Sequence, residues 1–108
     1  MPVTHEITLQ QAVDLTTRCR NNKPSSLPLS ETFEAAAIAR LLSTTGCSYL
    51  RIYYGMKEDG NIVAILVAAN EDNEDMLPAG TSLTGDAIIV EEGIICPPIC
   101  PPPSPLNT

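Results

Sequence analysis

The chain of 108 residues has no tryptophan, one phenylalanine (Phe33), one histidine (His5) and no basic residue beyond Lys57. Each scarcity excludes something. With so few large aromatics, a core has to be assembled from Ile, Val, Leu and Ala, helped by Tyr49, Tyr53 and Tyr54. The lone His5 precedes the first predicted helix and reads as a surface residue. Serine triads and cysteine–histidine dyads need a positioned base, so nucleophilic catalysis has no support. All six basic side chains lie within residues 1–57, which carry a net charge of +2, whereas residues 58–108 carry nine acids and no base, net −9. Such a half repels phosphate, which argues against nucleic acid and against an anionic membrane surface as partners. No glycine-rich phosphate loop is present, and no cofactor is expected. The longest apolar run, Ile62–Ala69, is far too short to span a bilayer. The opening MPVTHEITLQ lacks the basic start and apolar run of a signal peptide, so the expected location is cytoplasmic.

An apolar fraction of 44% is that of an ordinary globular chain. The expected organisation is a single α+β domain over residues 1–95, followed by a proline- and cysteine-rich tail over 96–108. Thr8 followed three residues later by Gln11 forms a capping box, and Leu9, Ala12, Val13, Thr16 and Cys19 then share one helical face. The spacing predicts a helix over 8–21 with Cys19 on its packed stripe, ended by the Lys23-Pro24-Ser25-Ser26-Leu27-Pro28 segment. A second helix is predicted over about 31–45. Ser30 would be its N-cap, Phe33, Ala36, Ala37 and Leu41 its packed face, and Gly46 its left-handed terminus.

From Ser48 the period changes to two. Leu50, Ile52, Tyr54 and Met56 point one way, and Tyr49, Arg51 and Tyr53 the other. The turn sequence Lys57-Glu58-Asp59-Gly60-Asn61 then leads into Ile62–Ala69, apolar on both faces, so a β-hairpin is expected over about 48–69. Residues 71–75 read as a solvated acidic loop; EDNED lacks the ligand alternation and central glycine of a calcium loop. A turn-rich stretch is expected over 76–85 and a third strand over 87–90, extended by Ile94 and Ile95. Two helices covering one face of a short sheet leave the other face of residues 62–69 open. The expected remedies are the segment from Ala87 to Ile95 folding across it or, favoured over that, a homodimer packed sheet on sheet with Tyr49, Arg51 and Tyr53, the candidate contact surface, at its edge.

The tail CPPICPPPSPLNT contains six prolines and two cysteines. Proline fixes φ and removes the backbone donor, so an extended, solvated arm is expected from about residue 97 onward. In polyproline geometry Cys96 and Cys100 stand about 12 Å apart, and neither a disulfide nor a shared metal forms unless the chain turns, as through a cis proline. The thiols of Cys96 and Cys100 are the candidate functional groups, acting alone or with Cys47 or Cys19 as a redox or metal-binding set. No pair has the short spacing of a zinc knuckle, and no metal is expected.

LTTRCR at 15–20, GCSYLRIYYGMKEDGNIVAILVAANEDNEDM at 46–76 and CPPIC at 96–100 together resemble a family of small uncharacterised bacterial proteins that end in a cysteine–proline motif. The resemblance covers about half of the chain, implies the hairpin, and brings no activity with it. The function expected from the residues is a non-enzymatic interaction module that presents the Pro/Cys tail to a protein partner. The alternative is thiol-based redox or metal chemistry at Cys96 and Cys100.

Overall fold

A computed structural model describes residues 4–78 and 86–108. The chain is α+β, with two helices and two antiparallel sheets among the described residues. Helix α1 spans Leu9–Asn22. Its start is the expected capping box: the Gln11 N–H donates to Thr8 Oγ1 at 3.0 Å, and the Thr8 N–H donates to Gln11 Oε1 at 2.8 Å. No residue of α1 is buried. Its half-buried stripe runs through Ala12, Val13, Thr16, Thr17 and Arg20, and this rotation leaves Cys19 exposed, contrary to expectation. Cys19, though exposed overall, lines with Thr16 and Arg20 the shallow cavity that α1 shares with Pro28, Leu29 and Leu106.

The next segment also departs from expectation. Ser30–Thr32 is a strand, β1, and helix α2 is confined to Ala35–Leu42. Glu34 takes the N-cap position in an extended conformation without a side-chain cap bond. Tertiary pairing has overridden local helix preference here: β1 forms a ladder with a later strand, and the Glu31 carboxylate accepts the Ala64 N–H at 2.7 Å. Phe33 packs against the core from this irregular stretch. Gly46 does supply the left-handed turn, with φ 89°.

Strands β2 (Tyr49–Met56) and β3 (Ile62–Ala69) form the expected hairpin, in a register that sets Tyr49 against Ala69 and Met56 against Ile62. Its turn is closed by Lys57 N–H to Asn61 O and Gly60 N–H to Lys57 O, both 2.9 Å, with Gly60 at φ 90°. The acidic loop is tighter than expected. The Asn70 side chain accepts the N–H groups of Asp72 and Glu74, each at 3.0 Å, and the loop delivers a short strand, β4 (Asp75–Met76), back onto β3. Strand β5 is Ile89–Val90, and residues 79–85 of the expected turn-rich stretch lie outside the described residues. Ile94 and Ile95 do not extend β5. With Cys96 they form β6 (Ile94–Cys96), which pairs with β1 in a separate two-stranded sheet.

The core lies where α2 crosses β3. Leu41, Leu66, Ala68 and Val90 are buried together, flanked by Phe33, Ile38, Cys47, Ala64, Met76 and Ile88. One edge of β3 is taken by β2 and the other is shared. Ile62 N–H donates to Ser26 O, Ala64 N–H to Glu31, Leu66 faces β5 and Ala68 faces β4. The opposite face is not left for a second chain either, since Val63, Val67 and Ala69 are all buried within this one. The anticipated open face of β3 is therefore filled within the chain.

Candidate functional site

Two regions hold the residues singled out in the sequence. The first is the cysteine–proline segment. Cys96 ends β6 opposite Ser30, is 2% exposed, and its carbonyl accepts the Leu29 N–H at 2.8 Å. From this anchor the chain does not run on as an arm. It turns through cis peptides at Cys96–Pro97 and Pro97–Pro98, the Ile99 N–H donates back to Ile95 O at 3.1 Å, and Cys96 and Cys100 are joined as a disulfide with their Cα atoms 4.6 Å apart. The straight spacer of about 12 Å is thus replaced by a closed ring. Pro97, Pro98, Ile99 and Cys100 are exposed on it, Ile99 to 65%.

Beyond the ring the tail folds on itself and touches α1. Asn107 organises the last turn, its side chain accepting the Ser104 N–H at 2.8 Å and donating to Pro102 O at 3.2 Å. Arg20 donates to Leu106 O at 2.7 Å, and Leu106 helps close a cavity of about 70 Å³ with Thr16, Cys19, Pro28 and Leu29. That volume suits water rather than a substrate.

The second region is the odd-numbered face of β2. Tyr49, Arg51 and Tyr53 do share it, but two of them are tied down within the chain. The Arg51 guanidinium forms an ion pair with Asp75 and also donates to Asn73, while the Tyr53 hydroxyl donates to the other Asp75 oxygen at 2.6 Å. Because Arg51 lies on β2 and Asp75 on β4, the bridge crosses β3 and roofs Val67 and Ala69, which are 2% and 0% exposed. The aliphatic stem of an arginine covers apolar surface well in such a position. Hydrogen bonds first from Tyr53 and then from Arg51 hold Asp75 below its ordinary 3.8. The bond to Asp75 pushes the Tyr53 hydroxyl above its ordinary 10.0 and raises Arg51 as well. Sequence reasoning found Arg51 and Tyr53 but missed Asp75. The signal was an acid at the end of the EDNED run, one residue before an apolar Met76 that could pair with β3.

The remaining cysteines are placed apart in role. Cys47 packs against the core and its thiol donates to Tyr49 O at 3.5 Å, whereas Cys19 is exposed on α1. Among the described residues no group of three or more His, Cys, Asp or Glu side chains is gathered as a metal site would require. No helix among them is long and apolar enough to cross a membrane. No family model, no curated protein and no solved structure matches this chain.

Proposed function

We propose that this chain is a non-enzymatic interaction module that presents the Cys96–Cys100 ring to a protein partner. The observation that carries this reading is the contrast within the ring: one end is a buried strand residue, and the other displays Pro97, Pro98 and Ile99 to solvent. A closed ring has lost most of its conformational freedom before binding, which reduces the ordering cost of association. Affinity capture on the immobilised full chain tests it, with Ile99→Asp run in parallel. A bound protein lost from the variant supports the reading, and equal retention by the folded variant refutes it.

A second reading, thiol–disulfide exchange, is favoured by the exposure of Cys100 beside the burial of Cys96. An incoming thiolate would attack Cys100 Sγ, forming a mixed disulfide and releasing Cys96 as the thiolate. Burial in apolar surroundings disfavours that thiolate, so the exchange reading ranks second. Titration against a dithiol buffer distinguishes the two, because exchange chemistry requires reversible opening of the ring without unfolding. In the cytoplasmic setting expected from the sequence the ring would stand in equilibrium with cellular dithiols, and in an oxidising compartment it would stay closed.

A further inference from the structure

Among the described residues, strand β2 is paired on one side only. Its single ladder partner among them is β3, and the Lys57–Asn61 bond at the turn fixes which main-chain groups face that partner. In an antiparallel ladder the hydrogen-bonded positions alternate. Counting back from Lys57, residues 55, 53, 51 and 49 bond to β3, so Leu50, Ile52, Tyr54 and Met56 direct their N–H and C=O groups to the open edge. The same alternation holds across β3, where the even-numbered Ile62 and Ala64 bond away from β2.

The open edge has none of the usual protections. Within Tyr49–Met56 it contains no proline and no lysine, Lys57 following at the turn, and the one charged residue of that span, Arg51, is turned toward β3 and bonded to Asp75. It is also greasy on both faces. Leu50, Tyr53, Ile52, Tyr49, Met56 and Tyr54 are 42% to 77% exposed. Side chains of this size leave on the order of 600 Å² of accessible surface on one chain, of which edge-to-edge pairing covers only the part along the β2 edge, the size of a weak, concentration-dependent association.

We propose that the occupant of this edge is a second copy of the chain, pairing β2 with β2 antiparallel about a two-fold axis at Tyr53. One register satisfies the geometry best. Placing Tyr53 opposite the partner's Tyr53 sets Leu50 against the partner's Met56 and Ile52 against the partner's Tyr54. Every outward main-chain group then finds a partner, in about eight hydrogen bonds. It also sets Arg51 against the partner's Gly55, where no side chain competes for space, and Tyr49 against the partner's Lys57, a tyrosine face beside a cation. Shifting the axis to residue 51 would put Arg51 against Arg51, and shifting it to 52 or 54 leaves outward groups unpaired. In the favoured register the side chains of Leu50, Ile52, Tyr54 and Met56 from both copies form one continuous apolar row on the α2 side. The surface is separate from the Cys96–Cys100 ring, so this inference stands or falls independently of the ring's role.

The test uses the full chain. Light scattering from micromolar to millimolar concentration should show a dimer for the native sequence. Ile52→Pro removes one outward donor without touching a bond to β3, and should weaken association about tenfold or more while leaving the monomer folded. A monomer throughout for the native chain, or an undiminished dimer for folded Ile52→Pro, overturns the proposal. Should Ile52→Pro fail to fold, Tyr53→Cys decides. Cysteines facing each other at a non-hydrogen-bonded pair lie close enough to oxidise to a covalent dimer linked 53 to 53, which peptide mapping reads. A folded Tyr53→Cys chain that yields no such link on oxidation equally overturns the proposal.

Discussion

β2 and β3 have the same length, lie in one ladder, and meet opposite fates. Val63, Leu66, Val67, Ala68 and Ala69 of β3 are all buried, yet no residue of β2 is. The difference does not come from hydrophobicity alone, since Leu50, Ile52, Tyr54 and Met56 are as apolar as their partners. It comes from what else the chain supplies. β3 receives α2 and Phe33 on its even side, the Arg51–Asp75–Tyr53 bridge on its odd side, and four segments along its second edge. Among the described residues β2 receives only β3. A strand becomes core when its neighbours cover it, and the same pattern without neighbours becomes a surface for something else.

The sharpest way to break this comparison is one substitution at two facing positions. Ile52 and Leu66 are ladder partners, 48% and 4% exposed. Leu66→Asp puts a carboxylate against Leu41 and Val90 and should cost more than about 4 kcal/mol, enough to unfold a domain of marginal stability. Ile52→Asp at high dilution should cost less than about 1 kcal/mol. Denaturant midpoints followed by circular dichroism check both, and similar losses at the two sites would mean that β2 is covered as β3 is.

How far the sequence foretold this division depends on which signals were local. The hairpin, its turn and the capping box of α1 were legible because period-two alternation, Asp-Gly and Thr-x-x-Gln each act within a few residues. β1 was not: Ser30, Phe33 and Glu34 look like a helix start, and only the distant Ile94–Cys96 and the Ala64 N–H reveal why the chain stays extended. The Tyr49, Arg51 and Tyr53 face was legible as a face, but its role as a roof depended on Asp75, which pairing with β3 brings alongside. The ring at Cys96 illustrates the same limit from the other side. Proline content suggested an arm, and the turn that closes it was visible only as a condition for a disulfide.

The ring offers the next largest effect. Cys100→Ser opens a short loop, for which chain entropy gives about 2 kcal/mol of lost stability. Cys96 keeps its buried place in β6, so the loss acts through the unfolded chain, and hydrogen exchange of the β2–β3 amides should lose no more protection than the unfolding free energy does. Protection lost along β3 beyond that amount would show that the ring supports the main sheet. Deleting residues 101–108 should do less, about 1 kcal/mol or under, because the segment's tie to the rest of the described chain runs through Arg20 and Leu106. A loss of several kcal/mol on truncation would make the tail part of the core.

The smallest expected effect concerns the roof over β3, and its sign follows from Asp75. That carboxylate is held below its ordinary 3.8 by Tyr53 and Arg51, so the native state binds the proton less readily than the unfolded chain does. Its contribution is therefore complete above pH 3.8 and is lost as the pH falls through the lowered native value. Asp86, lowered chiefly by its bond from the Thr45 N–H at 2.7 Å, acts with the same sign. Asp86 is exposed and Asp75 half-buried at the protein surface, so the magnitude is small and salt-sensitive. Asp75→Asn keeps an oxygen for Arg51 and Tyr53 but cannot ionise. Its unfolding midpoint should lie below that of the native chain at neutral pH and converge with it under acid conditions. Asp86→Asn should reproduce the convergence without disturbing the Tyr53 hydroxyl. A gap between native and Asp75→Asn chains that stays constant from neutral pH to below 3.8 would show that the bridge works by packing over Val67 and Ala69 and that its charge contributes nothing.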